Sequence, residues 1–374
     1  MTLRLVSDIW TDIDQLDRLL DNPLFWIDFY KVGHVSQYPT DTQFVWSNWT
    51  ARSSRVSGAK HVIWFSGQYV MWTLNEAWKK HFFSRPLSEL LAEYRMLIKA
   101  TLGVAEPRTD HIEALHHLGY LPIKIYALPE GSSVPLGVPM FVITNTLPAF
   151  FWMPNYLETI ISNKTWKACT SATTAQRFRR MIVEYVRQVG ETDFSFVDWM
   201  AHDFSFRGMS GLEDAILSGM GHLLSFSGTD TIPAILAAHK YYGADLSCGG
   251  SVPATEHSVM CAGTQEGEFE TFRHQIEDVY PTGPVSLVSD TWDLWRVLTD
   301  YIPRLKESIL ARDGKVIIRP DSGDPVKIVI GDYDSFSEPA QKGVVELLAD
   351  ALGTTSNAAG YRTINKAEIG RAHV

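Results

Sequence analysis

The stretch SVPATEHSVM, residues 251–260, sets Glu256 and His257 side by side with no second histidine at metal spacing. Imidazole titrates near neutrality, so His257 could shuttle protons, carry a phosphoryl group or bind a metal. A surface or capping role is the plain alternative. Pro253 and its small neighbours argue against a helix that begins before Thr255. Further along, Asp290 closes VSLVSD, and Arg319 and Asp321 close KVIIRPD. Both runs read as short buried strands that end in polar residues. In α/β barrels and open α/β sheets, chemistry collects at the carboxyl ends of parallel strands, which puts these three side chains where a site would be. Arg207 and Arg319 offer planar forks suited to phosphate, or form surface ion pairs. Asp321 pairs with Arg319, begins the SGDP turn, or meets a ligand. Asp230, in GTDT, could cap a helix that begins at Thr231 or Ile232. Phe204 lies in a polar loop between Asp203 and Arg207, and a lone phenylalanine there is ordinarily core.

These residues need elements to hold them. In WFSGQYVMWTLNEAWKK, Phe65, Tyr69, Trp72 and Glu76 recur at helical spacing and predict an aromatic core helix. In residues 119–146, Leu121, Ile123, Ile125 and Ala127 alternate with Lys124 and Tyr126 between turn signals, which predicts a compact β region. Two helical stretches follow from Trp152, separated by the Ser/Thr-rich residues 170–174. Arg177, Arg179 and Arg180 lie on the second, with at least two expected on a solvated face. Residues 192–330 alternate strand-like and helical runs, the α/β pattern. The chain lacks G-x-G-x-x-G after a strand, the Walker loop, HExxH and GxSxG.

With 374 residues the chain can build about two domains. Hydrophobic residues make up 45% and charged residues 20%, a soluble, globular balance. The net charge of −10 disfavours nucleic acid, whereas local arginine clusters still suit small anions. Three cysteines with no CxxC pair predict a reducing, cytoplasmic setting. The acids in MTLRLVSDIWTDIDQ interrupt any secretory signal, and no run reaches membrane length.

DFYKVGHVSQYP (28–39), HDFSFRGMSG (202–211), FSGTDTIPA (226–234), SVPATEHS, VSLVSDTWD (285–293) and IIRPDSGDP (317–325) stand in this order along the chain. Together with GYLPIKIYALPEG and N-x-x-E-T-I at 155–160, they resemble the nicotinamide phosphoribosyltransferase family from about residue 22 to about residue 330. The resemblance implies an incomplete α/β-barrel-like domain of the type II phosphoribosyltransferase kind (166–367), preceded by an N-terminal α+β domain (1–165). It also implies a homodimer with shared sites. The reaction would join nicotinamide to phosphoribosyl pyrophosphate, with Mg²⁺ on the pyrophosphate and ATP as co-substrate.

The family's roles fall on matching positions. Phe204 and Tyr30, the latter from the neighbouring subunit, would sandwich the pyridine ring. Asp230 would accept from the carboxamide nitrogen and repel nicotinate. Arg207 would lie near substrate, Arg319 on the phosphoribosyl group and Asp321 on the ribose hydroxyls. Asp28 matches the family's D-x-Y-K, although Phe29 stands where serine is common. Arg52 corresponds to an arginine that reaches phosphates across the dimer, and Ser286 belongs to the substrate-binding set. The resemblance makes His257 a phosphoryl acceptor from ATP, with Asp290 orienting the ring and Glu256 placing the ring or the phosphate.

Beyond VKIVIGDYDSF the resemblance fades. The family's GDG and GSGG-type phosphate loops are not in this sequence, and the terminal EIGRAHV (368–374) reads as a non-native tail on a truncated frame. The rivals are a nicotinate or quinolinate phosphoribosyltransferase, whose substrates Asp230 would repel, and a binding protein without turnover.

Overall fold

The computed structural model describes residues 13–370. The acid-interrupted N-terminus up to residue 12 and residues 371–374 of the suspected tail lie outside them. Two compact units form: residues 1–176, 210–225 and 233–246, and residues 177–209, 226–232 and 247–374. The sequence reading places one boundary after residue 165; the first change of unit comes after residue 176, and both points lie within the helix Glu158–Gln188.

The first unit holds the expected β region. Strand β1 (Trp46–Thr50) pairs antiparallel with β5 (Pro139–Asn145), which pairs with β3 (Ile123–Ala127). β2 (His61–Ile63) pairs with β4 (Ser133–Pro135). The predicted aromatic helix is α1 (Gly67–Trp78), and its buried stripe is Tyr69, Val70, Leu74 and Trp78. Trp72 is 55% exposed and does not join the core, because the buried stripe passes one side of it.

The two helices expected after Trp152 are, across residues 170–174, one helix, α2 (Glu158–Gln188). Its hydroxyls do not break it because they have partners. Thr173 Oγ1 donates to the Cys169 carbonyl at 2.6 Å and accepts from the Ile63 N–H at 2.9 Å. Ser171 meets Ser218 of α3 (Leu212–Leu223) at 2.9 Å. Along α2, Arg177 and Arg180 are exposed as expected, whereas Arg179 pairs with Asp198 at 2.6 Å.

The second unit is built on parallel strands. β6 (His202–Asp203) pairs with β7 (Gly228–Thr229). A bridge joins Gly228 to Gly250, and another joins Ala254 to Ser286. β8 (Val285–Val288) then pairs with β9 (Val316–Arg319), and β9 with β10 (Ala367–Ile369). Six parallel runs therefore follow one another, which is the partial barrel-like array expected. All four residues of β8 are buried, as a parallel strand covered on both faces requires. Residues 368–370 of the suspected tail extend this array, and the Gly370 N–H donates to the Ile318 carbonyl at 2.9 Å.

A Cβ at Gly221 of α3 would lie 2.7 Å from the Ala168 carbonyl oxygen and 3.0 Å from the Ala172 nitrogen. Alanine is the better helix former by roughly 1 kcal/mol, but overpacking against backbone costs about 1–3 kcal/mol. Gly221→Ala should therefore lower the midpoint of urea unfolding; an unchanged or raised midpoint would show that the helices can separate freely.

Candidate active site

The carboxyl ends of the parallel runs bring most of the expected residues into one unit. α4 (His257–Ala262) begins two residues after Thr255, with Glu256 at its N-cap position, as Pro253 foretold. His257 is about half exposed, and its Nε2 lies 3.3 Å from Oδ1 of Asp290, whose side chain is only 7% exposed. That contact is within ion-pair reach, yet Oδ1 makes no hydrogen bond. Oδ2 is tied more firmly. It accepts from the Asp321 N–H at 2.9 Å, the Ser322 N–H at 2.6 Å and the Ser322 hydroxyl. Burial raises the Asp290 carboxyl, but the Ser322 hydroxyl, the two N–H donors and His257 outweigh it and hold the group below its ordinary value.

Arg319, buried at the end of β9, donates from Nη2 to the Thr255 carbonyl at 2.6 Å. Its Nε lies 3.3 Å from Asp321. Thr255 in turn accepts at Oγ1 from the Val288 N–H at 3.0 Å. Asp324 caps the helix Pro325–Ile330, accepting from the Val326 and Lys327 N–H groups, while Asp321 pairs with Arg319. Ser286 lies buried inside β8, with its backbone joined to Pro253 and Thr255. The Glu256 carboxylate, at the helix N-cap position, accepts from the Ser258 hydroxyl.

A second group gathers after β6 and β7. Oδ1 of Asp230 meets His202 Nε2 at 3.0 Å and accepts from the Ser251 hydroxyl. Burial raises this carboxyl, and the bonds from His202 and Ser251 with the charge of Arg319 bring it below its ordinary value. The side chain thus spends its bonds on His202 and Ser251, neither of which is a helix N–H. Phe204 packs its ring against His202, with centroids 4.8 Å apart. It is half-buried and not core, and Arg207 is exposed on the following turn.

Asp28, Tyr30 and Arg52 belong to the first unit. Asp28 accepts from the Thr159 hydroxyl at 2.6 Å, and the adjacent buried Lys31 pairs with Glu158 at 2.6 Å. These anchors hold a short turn on which Tyr30 is 61% exposed. Arg52 is exposed beyond the end of β1.

Sequence reasoning missed His202, Ser251 and Ser322. All three stand inside the quoted motifs at strand ends, so position was the available signal; hydroxyl and imidazole partners are fixed only once the strands are ordered.

The Nicotinate phosphoribosyltransferase (NAPRTase) family model matches residues 199–368. A nicotinamide phosphoribosyltransferase of Acinetobacter baylyi is 47% identical over 358 residues, covering 92% of this chain and 71% of that protein. The chain belongs to the nicotinamide phosphoribosyltransferase family. The Mycoplasma pneumoniae member is 32% identical, with 91% of this chain and 75% of that protein covered. Among solved structures, human nicotinic acid phosphoribosyltransferase gives a TM-score of 0.52 at 17% identity, over 80% of this chain and 62% of that one. Nicotinate-nucleotide pyrophosphorylase from Pyrococcus furiosus gives 0.52 at 12% identity, over 94% and 66%. At such identities these structures speak for the type II fold alone. The chain spans less than two-thirds of the human structure it matches.

Because the folded chain holds the Asp290 carboxyl low, its ionised form adds stability. That contribution is fully present above about pH 4, the ordinary carboxylate value, and is lost as the pH falls through the lower folded value. Asp290→Asn should cost about 1–2 kcal/mol at neutral pH, and the deficit should shrink below about pH 4. Urea unfolding at both pH values checks this; a deficit independent of pH would mean that Asp290 is not held ionised.

Proposed function

We propose that this chain carries the activity of its family: it transfers the phosphoribosyl group of phosphoribosyl pyrophosphate to nicotinamide, giving nicotinamide mononucleotide and diphosphate in NAD salvage. Transfer is coupled to ATP hydrolysis through a phosphohistidine at His257. The carrying observation is the pair of aspartates at the ends of β7 and β8, one bonded to the His202 ring against which Phe204 packs and one against His257.

Both of Asp230's bonds fall on Oδ1, which leaves Oδ2 to accept from an amide N–H₂. The carboxylate of nicotinate would meet like charge there. Phe204 covers one face of the pyridine ring and Tyr30 of a second copy the other, each stack contributing about 1 kcal/mol beyond area burial. The working enzyme is thus a homodimer, in the cytoplasm. Arg319 and Asp321 hold the phosphoribosyl group, Arg207 and the second copy's Arg52 meet phosphates, and Asp28 steadies the Tyr30 turn.

Nε2 of His257 is turned to Asp290, so Nδ1 of the neutral ring is free to attack. Its lone pair bonds to the γ-phosphorus of ATP while the bond from phosphorus to the bridging oxygen of ADP breaks. Water later hydrolyses the N–P bond and releases phosphate. In the transfer step the C1–oxygen bond to diphosphate breaks, and the pyridine nitrogen bonds to C1.

Among the described residues no group of three or more His, Cys, Asp and Glu could hold a metal by itself. Mg²⁺ needs only one or two carboxylates beside phosphate oxygens. Oδ1 of Asp321 faces Arg319 Nε at 3.3 Å and is taken by that pair, so the ion would rely on the phosphate oxygens of the substrate. When bound, the ion neutralises the departing diphosphate. No described helix is long and apolar enough to cross a membrane.

Asp230→Asn should narrow the preference for nicotinamide over nicotinate by roughly ten- to a hundredfold, the scale of a hydrogen bond to a charged group. An unchanged ratio of kcat/KM values would remove Asp230 from selection and reopen the nicotinate reading. His257→Ala should abolish acid-labile, base-stable labelling by γ-³²P-ATP while weak ATP-independent transfer persists; equal labelling of the variant and the wild type would leave His257 a surface residue.

A further inference from the structure

Asp290 is held from one side. Three donors converge on its Oδ2, all from Asp321 and Ser322, while Oδ1 meets His257 at 3.3 Å without a hydrogen bond. A carboxylate turns easily about its last bond, so the donors on Oδ2 decide where Oδ1 points. Two of the three are backbone N–H groups. The third is the Ser322 hydroxyl, on an exposed residue, so removing it opens no hole in the core.

The same short segment faces the other half of the site. Asp321 pairs with Arg319, and Arg319 bonds the Thr255 carbonyl two residues before His257. The contacts close a ring: His257, Asp290, Ser322 and Asp321, Arg319, Thr255, and back along the chain to His257. Among the described residues, the charged groups that meet Asp290 are His257 from α4 and, through its backbone N–H, Asp321, whose side chain pairs with Arg319. Glu256 turns to Ser258.

We propose that Ser322 is a positioning residue that holds Asp290 against His257 and thereby couples phosphorylation of the histidine to occupation of the phosphoribosyl site at Arg319 and Asp321. The inference rests on the phosphohistidine reading above and assigns its coupling to one hydroxyl. A ligand that engages Asp321 moves the N–H groups on which Asp290 hangs, and Oδ1 follows. No covalent step is added, since the Ser322 hydroxyl and N–H both donate to Asp290.

The test combines γ-³²P-ATP labelling, with and without phosphoribosyl pyrophosphate, and carbon NMR titration of the Asp290 carboxyl. It compares wild type, Ser322→Ala, Ser322→Thr and His257→Ala. Ser322→Ala should slow labelling of His257 roughly tenfold, the scale of losing one orienting partner. It should also abolish the acceleration by phosphoribosyl pyrophosphate and move the Asp290 titration upward, because the hydroxyl favours the ionised form. Ser322→Thr, which keeps the hydroxyl, should restore all three. A merely structural role would leave the titration in place. Labelling that depends on His257 but is indifferent to Ser322→Ala overturns the coupling and spares the phosphohistidine. Labelling that persists in His257→Ala overturns the phosphohistidine and the coupling with it. An unmoved Asp290 titration in Ser322→Ala overturns the positioning role.

Discussion

An ionised carboxylate with 7% of its side chain exposed has to be held by donors. Asp290 meets that requirement through backbone N–H groups of the segment after β9 and through the Ser322 hydroxyl. Much of the site's order follows from this one demand. The bonds fix the turn that carries Asp321, and they leave one oxygen of Asp290 for His257. Arg319, buried beside them, closes the circuit by reaching the Thr255 carbonyl.

Such an arrangement depends on parallel strands that end at the same level. β8 and β9 are short and apolar, and Val285, Leu287, Val288, Val316 and Ile318 are buried in one core. Each strand releases a polar residue where its hydrogen bonding stops. The segment between β7 and β8 is joined to both by single bridges, and it delivers Ser251 to Asp230 and His257 to Asp290. One stretch of chain thus serves both carboxylates, and each of them is held ionised by donors from a neighbouring strand end.

Much of this was legible in the sequence. VSLVSD and KVIIRPD announced their strands because a parallel strand buried on both faces reads as a nearly continuous apolar run, interrupted in β8 only by the buried Ser286. Pro253 limited where the helix of His257 could begin. The motif residues His257, Asp290, Arg319 and Asp321 came together as strand-end logic requires. What the sequence hid was decided by tertiary partners. Residues 170–174 look like a break but stay helical because Thr173 and Ser171 find partners, Thr173 on its own helix and at Ile63, Ser171 on Ser218. Trp72 matched the helical stripe and lies outside the buried one. His202 and Ser322 act on carboxylates 28 and 32 residues away, a pairing no local pattern encodes.

The central claim is that Asp290 claims one nitrogen of His257 and leaves the other to react. Nitrogen-15 and phosphorus-31 NMR of the phosphoenzyme formed with ATP tests it directly. The account predicts a phosphoryl group on Nδ1 of His257, with Nε2 protonated and facing Asp290. A phosphoryl group on Nε2, or on another residue, would contradict it.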